Sequence, residues 1–331
     1  MKNSRPNASA LPSARIIALI GGLIAANVLA WAAAWACWHT SALLFGGAVI
    51  AYGYGLRHAV DADHITAIDN TTRKMMQDGR RPLGVGFFFS LGHSTIVVAL
   101  CAALAVATAY VSKHLPAWTT VGSQIGSWIS CIFLFIIGTA NLLIFLDLMR
   151  QSRTVDEAGM QSLLEQRGIM GRIFRPVMRL VSRSWHMYVV GLLFGLGFDT
   201  ATEVGIITLS ARSGQAGIPL WTLMLLPILF TVGMCLVDTI DGILMLQAYG
   251  WATVDSARKL QYNLGITLVS VLVAFAVAIR ELLPLAGIDL SLHGPILGRL
   301  DANLGVVIIG VFLVGWAIAG LLARRRVDAT T

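Results

Sequence analysis

The sequence predicts an all-α polytopic integral membrane protein with eight transmembrane helices and both termini in the cytoplasm. Three observations carry this. Of the 331 residues, 56% are hydrophobic and 12% charged; apolar runs long enough to cross a bilayer recur along the chain; and the basic residues gather on alternate sides of them. A mean hydropathy of +0.76 is far too apolar for a soluble domain of this length.

A hydrocarbon core of about 30 Å requires about 20 apolar residues per helix. The segments that meet this are 14–38, 43–69, 84–111, 121–149, 187–211, 218–249, 260–282 and 302–322. No small-residue cleavage site follows the first, so it reads as a retained span and not a signal peptide. The second and sixth are irregular. Gly53 and Gly55 precede a cluster of imidazoles and carboxylates, and Pro227 and Gly233 precede an acidic pair. Unwinding is expected at both, because non-helical backbone at membrane depth is tolerated where it lines a site.

Residues 14–322 therefore read as a single transmembrane domain between two polar cytoplasmic tails, 1–13 disordered and 323–331 basic. The segment 150–186, between the fourth and fifth spans, is the sizeable soluble loop. Gly159, Gly168, Gly171 and Pro176 among its charges suggest short surface helices. Of the 24 basic residues, Lys113, Arg212, Arg280 and Arg299 fall outside and Arg57 lies within a span; the rest are on the side of the two termini. The positive-inside rule places that side in the cytoplasm. The net charge of +7 then reflects topology and anionic lipid, and a nucleic-acid partner is excluded. Cys37, Cys101, Cys131 and Cys235 stand singly in apolar runs, which argues against a disulfide framework and a thiol redox pair.

The sharper signal is acidic. Asp61 and Asp63 lie in the second span, Asp199 and Glu203 in the fifth, and Asp238 and Asp241 in the sixth, with Arg57 as the one basic residue among them. Six ionised carboxylates at membrane depth would cost about 15 to 21 kcal/mol. One arginine cannot neutralise them, so protons, hydrogen bonds or a cation must do so. His58, Asp61 and His64 form a drifting stripe on a helix, and unwinding could bring Asp63 round to His58. His93 adds a third imidazole in Leu91-Gly92-His93-Ser94-Thr95. Any one of these has a bland use as a cap or an interhelical hydrogen bond; the whole set does not.

Imidazole and carboxylate without thiolate suit Ni²⁺, Co²⁺, Zn²⁺, Fe²⁺ or Mn²⁺ over Ca²⁺, Mg²⁺ or Cu(I). Residue types alone leave these five open. Three rival classes are a metal efflux permease, a membrane-embedded metalloenzyme and a structural subunit. An exporter would be expected to carry a histidine-rich loop, and 150–185 has no histidine. A metalloenzyme would need a separate nucleophile or open metal position, for which the sequence gives no signal. A structural subunit leaves the carboxylates unexplained.

The segment Arg57-His58-Ala59-Val60-Asp61-Ala62-Asp63-His64-Ile65 resembles the His-x4-Asp-His signature of the nickel/cobalt transporter (NiCoT) permeases, carried here by His58, Asp63 and His64. The resemblance continues in the segments holding His93, then Asp199, Thr200 and Glu203, then Asp238 and Asp241. It implies high-affinity uptake of Ni²⁺, with Co²⁺ carried by some members, across a bacterial inner membrane. It also implies a metal site of His58, His64 and Asp63 or Asp61, completed or oriented by His93 and Asn27. Val60 and Asn27 resemble the nickel-selective members. Asp199, Thr200, Glu203, Asp238, Asp241, Arg57 and Ser94 would then line the path or support the ligands. Neither a cofactor nor catalysis is expected. The expected partners are the ion and membrane lipid. No G-x-x-x-x-G-K-[ST] segment is present, so ATP is not expected as an energy source.

Overall fold

A computed structural model describes residues 13–106, 108–152, 181–196, 205–206, 210, 218–251, 256–288, 303–312 and 314. Every element assigned among them is helical. They are α1 (Ser13–Trp38), α2 (Ala42–His58), α3 (Ala62–Gln77), α4 (Val85–Val106), α5 (Thr108–Ser152), α6 (His186–Phe194), the short α7 (Leu220–Leu223), α8 (Leu225–Trp251) and α9 (Ser256–Leu285). Residues 304–312 are also helical. Five stretches among the described residues are long and apolar enough to cross a membrane: Ala14–Trp38, Val85–Ala103, Gln124–Leu146, Trp221–Ala248 and Thr267–Leu285.

The second expected span is two helices. α2 stops at His58, residues 59–61 form a turn, and α3 starts at Ala62 and runs on to Gln77. Its last turns fall on residues that the sequence reads as a polar cytoplasmic loop. Asn70, Arg73 and Lys74 are buried there with hydrogen-bond partners inside the bundle. Arg73 donates from Nε to Ser270 Oγ at 3.1 Å and from its guanidinium to Thr267 Oγ1 at 2.9 Å. Lys74 Nζ donates to the Val181 carbonyl at 2.7 Å, and Asn141 donates to Asn70 Oδ1 at 2.8 Å. α3 is thus shielded by α4, α5, α8 and α9, which removes the need for an apolar surface.

The sixth expected span is interrupted at Met224, between α7 and α8 and three residues before Pro227, and not at Gly233. α8 is continuous from Leu225, and Pro227 sits in its first turn, where the missing N–H has no intrahelical partner to lose. α5 runs well past the expected 121–149 span, with 45 residues, or about 68 Å. It is therefore longer than the bilayer is thick.

α8 is the hub, packing against α1, α2, α3 and α4, while α9 packs along α5 and α3. Two close approaches set the position of α4. A Cβ on Gly86 would collide with the Asp238 carbonyl of α8, and Gly92 and Gly191 each press on a carbonyl of the facing helix, Tyr188 on α6 and Phe89 on α4. Small residues let the backbones touch, which supplies the association energy that lipid-like side chains cannot. The expected outcome of Gly191→Ala is a loss of about 1 to 3 kcal/mol through overpacking, read as a lower unfolding temperature of the detergent-solubilised protein. Gly21→Ala, with no neighbour within 4 Å, is the matched control and should not fall.

Candidate metal centre

The turn between α2 and α3 brings His58 and His64 face to face. In one uninterrupted helix a separation of six residues would leave the rings more than a turn apart. Here Val60 N–H bonds the Arg57 carbonyl at 3.1 Å and Asp61 N–H the His58 carbonyl at 2.9 Å. The chain is thereby redirected, and the two ring centroids lie 4.6 Å apart. His93 of α4 completes a triangle at 4.7 Å from His58 and 4.9 Å from His64. One nitrogen of each ring lies within 4.8 Å of the other two. The rings are 1%, 0% and 3% exposed, so no bulk water competes for those nitrogens. Phe89 closes one side, edge-on to His64 at 4.7 Å, and Phe230 the other, at 5.6 Å from His58.

Each of the first two histidines is held by a carboxylate at its outer nitrogen. His58 Nδ1 lies 3.0 Å from Asp61 Oδ2, and Arg57 holds the other oxygen of that carboxylate at 2.5 Å. His64 Nδ1 lies 3.1 Å from Asp238 Oδ2, which also accepts from Ser90 Oγ at 2.5 Å. Where such a carboxylate accepts from Nδ1–H, the Nε2 of the same neutral ring presents a lone pair. His64 Nε2 is buried without a hydrogen-bond partner among the described residues. His58 Nε2 faces His93 Nε2 at 2.9 Å. Two lone pairs cannot meet at that distance without a proton or a cation between them. Three buried imidazoles, two of them backed by carboxylates and walled by aromatic rings, could hold a transition-metal ion.

The remaining sequence-predicted residues take varied positions. Asp63 is half-buried in the first turn of α3 and makes no hydrogen bond or ion pair among the described residues. Asn27 is buried on α1 and donates to Leu23 O at 2.8 Å and Val232 O at 3.2 Å, tying α1 to α8. Ser94 is buried beside His93 on α4. Asp241, one turn after Asp238 on α8, is half-buried, and its Oδ2 has no hydrogen-bond partner among the described residues. Asp199, Thr200 and Glu203 lie outside the described residues. Sequence reasoning passed over Ser90, Phe89, Phe230 and the fully buried Asp69. Ser90 and Phe89 stand three and four residues before His93, on its helical face, which was a usable signal. Phe230 had none.

The chain matches the family described as "High-affinity nickel-transport protein" (NicO) over residues 44–323. It is 46% identical to a "High-affinity nickel transport protein" of Cupriavidus necator, over 97% of this chain and 95% of that one. It is 39% identical to the "Nickel transporter NixA" of Staphylococcus aureus, again over 97% and 95%. Its identity to the "Cobalt transport protein NhlF" of Rhodococcus rhodochrous is 38%, over 86% and 84%. No solved structure matches the chain. The buried histidine triangle thus sits in a multi-pass helical protein that belongs to the NicO family of high-affinity nickel-transport proteins.

Proposed function

We propose that this protein is a nickel uptake permease that carries Ni²⁺ inward across a bacterial inner membrane through the His58, His64 and His93 centre. The observation that carries the reading is the carboxylate facing Nδ1 of both His58 and His64. Two lone pairs are held inward by Asp61 and Asp238, and the third histidine stands 2.9 Å from the first. Two nitrogens bound to one ion at about 2.0 to 2.1 Å are about 2.9 Å apart when the ligands sit at right angles, and about 3.4 Å apart in a tetrahedron. The 2.9 Å between His58 Nε2 and His93 Nε2 is equally the length of an N–H···N hydrogen bond, so the choice of Ni²⁺ rests on the relatives named for nickel. Relatives named for nickel and one named for cobalt support the same ligand class, with Co²⁺ as a second substrate.

On this reading the ion exchanges its water for imidazole nitrogen. Asp63, half-buried one residue before His64, supplies negative charge at the approach. Asp61 has both oxygens engaged and orients His58. Asn27 fixes α1 against the α8 wall of the site. Asp238 and Asp241, with Ser94, Asp199, Thr200 and Glu203, line or support the route to the cytoplasm. Both termini are cytoplasmic and the spans number eight, on the distribution of basic residues. An inside-negative potential gives a divalent ion about 4.6 kcal/mol per 100 mV. Transport then needs neither ATP nor a catalytic step.

His58→Ala or His64→Ala should abolish uptake of radioactive nickel by cells in which the variant still reaches the membrane. Retained uptake would sink the centre as a transport site, and net nickel loss on expression of the unaltered protein would reverse the direction. Removing the orienting carboxylate with Asp238→Ala should weaken nickel binding by about 10- to 100-fold, the usual effect of deleting the hydrogen-bond partner of a ligand histidine. The measurement is equilibrium nickel binding to the purified protein in nanodiscs.

A further inference from the structure

We propose that Arg57 is a positioning residue for metal capture, acting through Asp61 on His58; this rests on the nickel reading above. The N-terminus of α3 has an unused cap. Asp61 begins α3 with extended backbone (φ −70, ψ 148), as an N-cap residue does, yet its side chain caps nothing. An aspartate there ordinarily accepts from the second or third helical N–H, which is worth about 1 kcal/mol. A competing interaction must therefore hold the carboxylate away from its own helix.

That interaction is the pair of bonds on the α2 side. Arg57 takes Oδ1 at 2.5 Å and His58 Nδ1–H takes Oδ2 at 3.0 Å. Asp61 has three competing uses: to cap α3, to bind the ion directly, or to hold the proton of His58 on Nδ1. With one oxygen fixed by a guanidinium, the carboxylate is pinned between two donors of α2 and the third use is selected. Arg57 itself is anchored independently. It lies in the last turn of α2, where the helix dipole favours a cation. Without Arg57, Asp61 is free to swing to the α3 N–H groups. The His58 ring then loses its tautomer, and with the proton on Nε2 the ring offers the ion no lone pair.

Charge alone makes the opposite prediction. A cation beside a cation site repels the ion, so a purely electrostatic Arg57 would weaken binding, and its removal would tighten it. The sign of the effect therefore discriminates. The Arg57 side chain is 46% exposed, so its substitution removes little packing.

The test compares nickel binding in nanodiscs and nickel uptake kinetics for the unaltered protein, Arg57→Met, Arg57→Lys, Asp61→Ala and the Arg57→Met/Asp61→Ala double variant. Arg57→Met should raise Kd and KM for nickel by about 10- to 100-fold. Arg57→Lys should recover most of that, because an ammonium can still donate to Oδ1. In the Asp61→Ala background Arg57→Met should add nothing, because the two act as one unit. Unchanged or tighter nickel binding by Arg57→Met, or effects that simply add in the double variant, would overturn the assignment. If the unaltered protein binds no nickel, the permease reading fails and this inference falls with it, a result distinct from nickel binding that ignores Arg57.

Discussion

A neutral imidazole has one proton and one lone pair, and it serves a cation only when the proton is held on the far nitrogen. Much of the arrangement around the centre follows from that constraint. His58 and His64 both need an acceptor behind Nδ1, and the chain finds the two acceptors in different ways. Asp61 is local, three residues on, and reaches His58 because the helix ends between them. Asp238 comes from α8 and is placed behind His64 by tertiary packing. The carboxylates are themselves fixed, the first by Arg57 and the second by Ser90. A ligand ring is only as well oriented as the acceptor behind it.

Orientation also requires that the helices not slide. The contact of Gly86 with the Asp238 carbonyl sets α4 against α8 at the level of the second acceptor. Gly305, in the helical stretch 304–312, meets the Val60 carbonyl in the turn between His58 and His64, so a later part of the chain braces the break. At the other end, α3 is moored by Arg73 on α9, by Asn70 on Asn141 of α5, and by Lys74 on the Val181 carbonyl. Arg80 bonds the next carbonyl, that of Ser182. Leaving such buried polar groups unpaired would cost about 1 to 3 kcal/mol each. Their pairing is what allows a polar helix to lie inside a membrane bundle.

The membrane class, the long apolar helices and the residues of the α2–α3 motif were legible in the sequence, because hydrocarbon imposes a length and a polarity that a linear pattern records. The course of α3 was not. Residues 70–74 are polar, and a one-dimensional reading assigns polarity to solvent; here Asn70, Arg73 and Lys74 find partners on segments far apart in sequence. The same limit hid the pairing of His64 with Asp238. Asp238 was visible as an acidic residue in a span, but nothing in its spacing named its partner. Ser90 was legible in principle, being on the face of His93, and was missed because a serine in an apolar run has many ordinary uses. The break at residues 59–61 was signalled by the glycines before the cluster. The same reasoning failed at Gly233, which lies against Tyr52 and is used for close packing within an intact helix.

A transport site must also let its cargo go, and the placement of charge bears on this. The three nitrogens are neutral donors, whereas a thiolate or a directly bound carboxylate would add a full charge to the bond. On the proposed reading, the charge that would balance a dehydrated divalent ion sits one imidazole ring away, on Asp61 and Asp238. At about 6 Å and an effective dielectric of 20, each carboxylate is worth about 5 to 6 kcal/mol to such an ion, although Arg57 offsets part of the Asp61 contribution. That is close to the 4.6 kcal/mol or so that 100 mV of membrane potential supplies. On the same reading, Asp61 and Asp238 and the partners that fix them set the direction of the lone pairs.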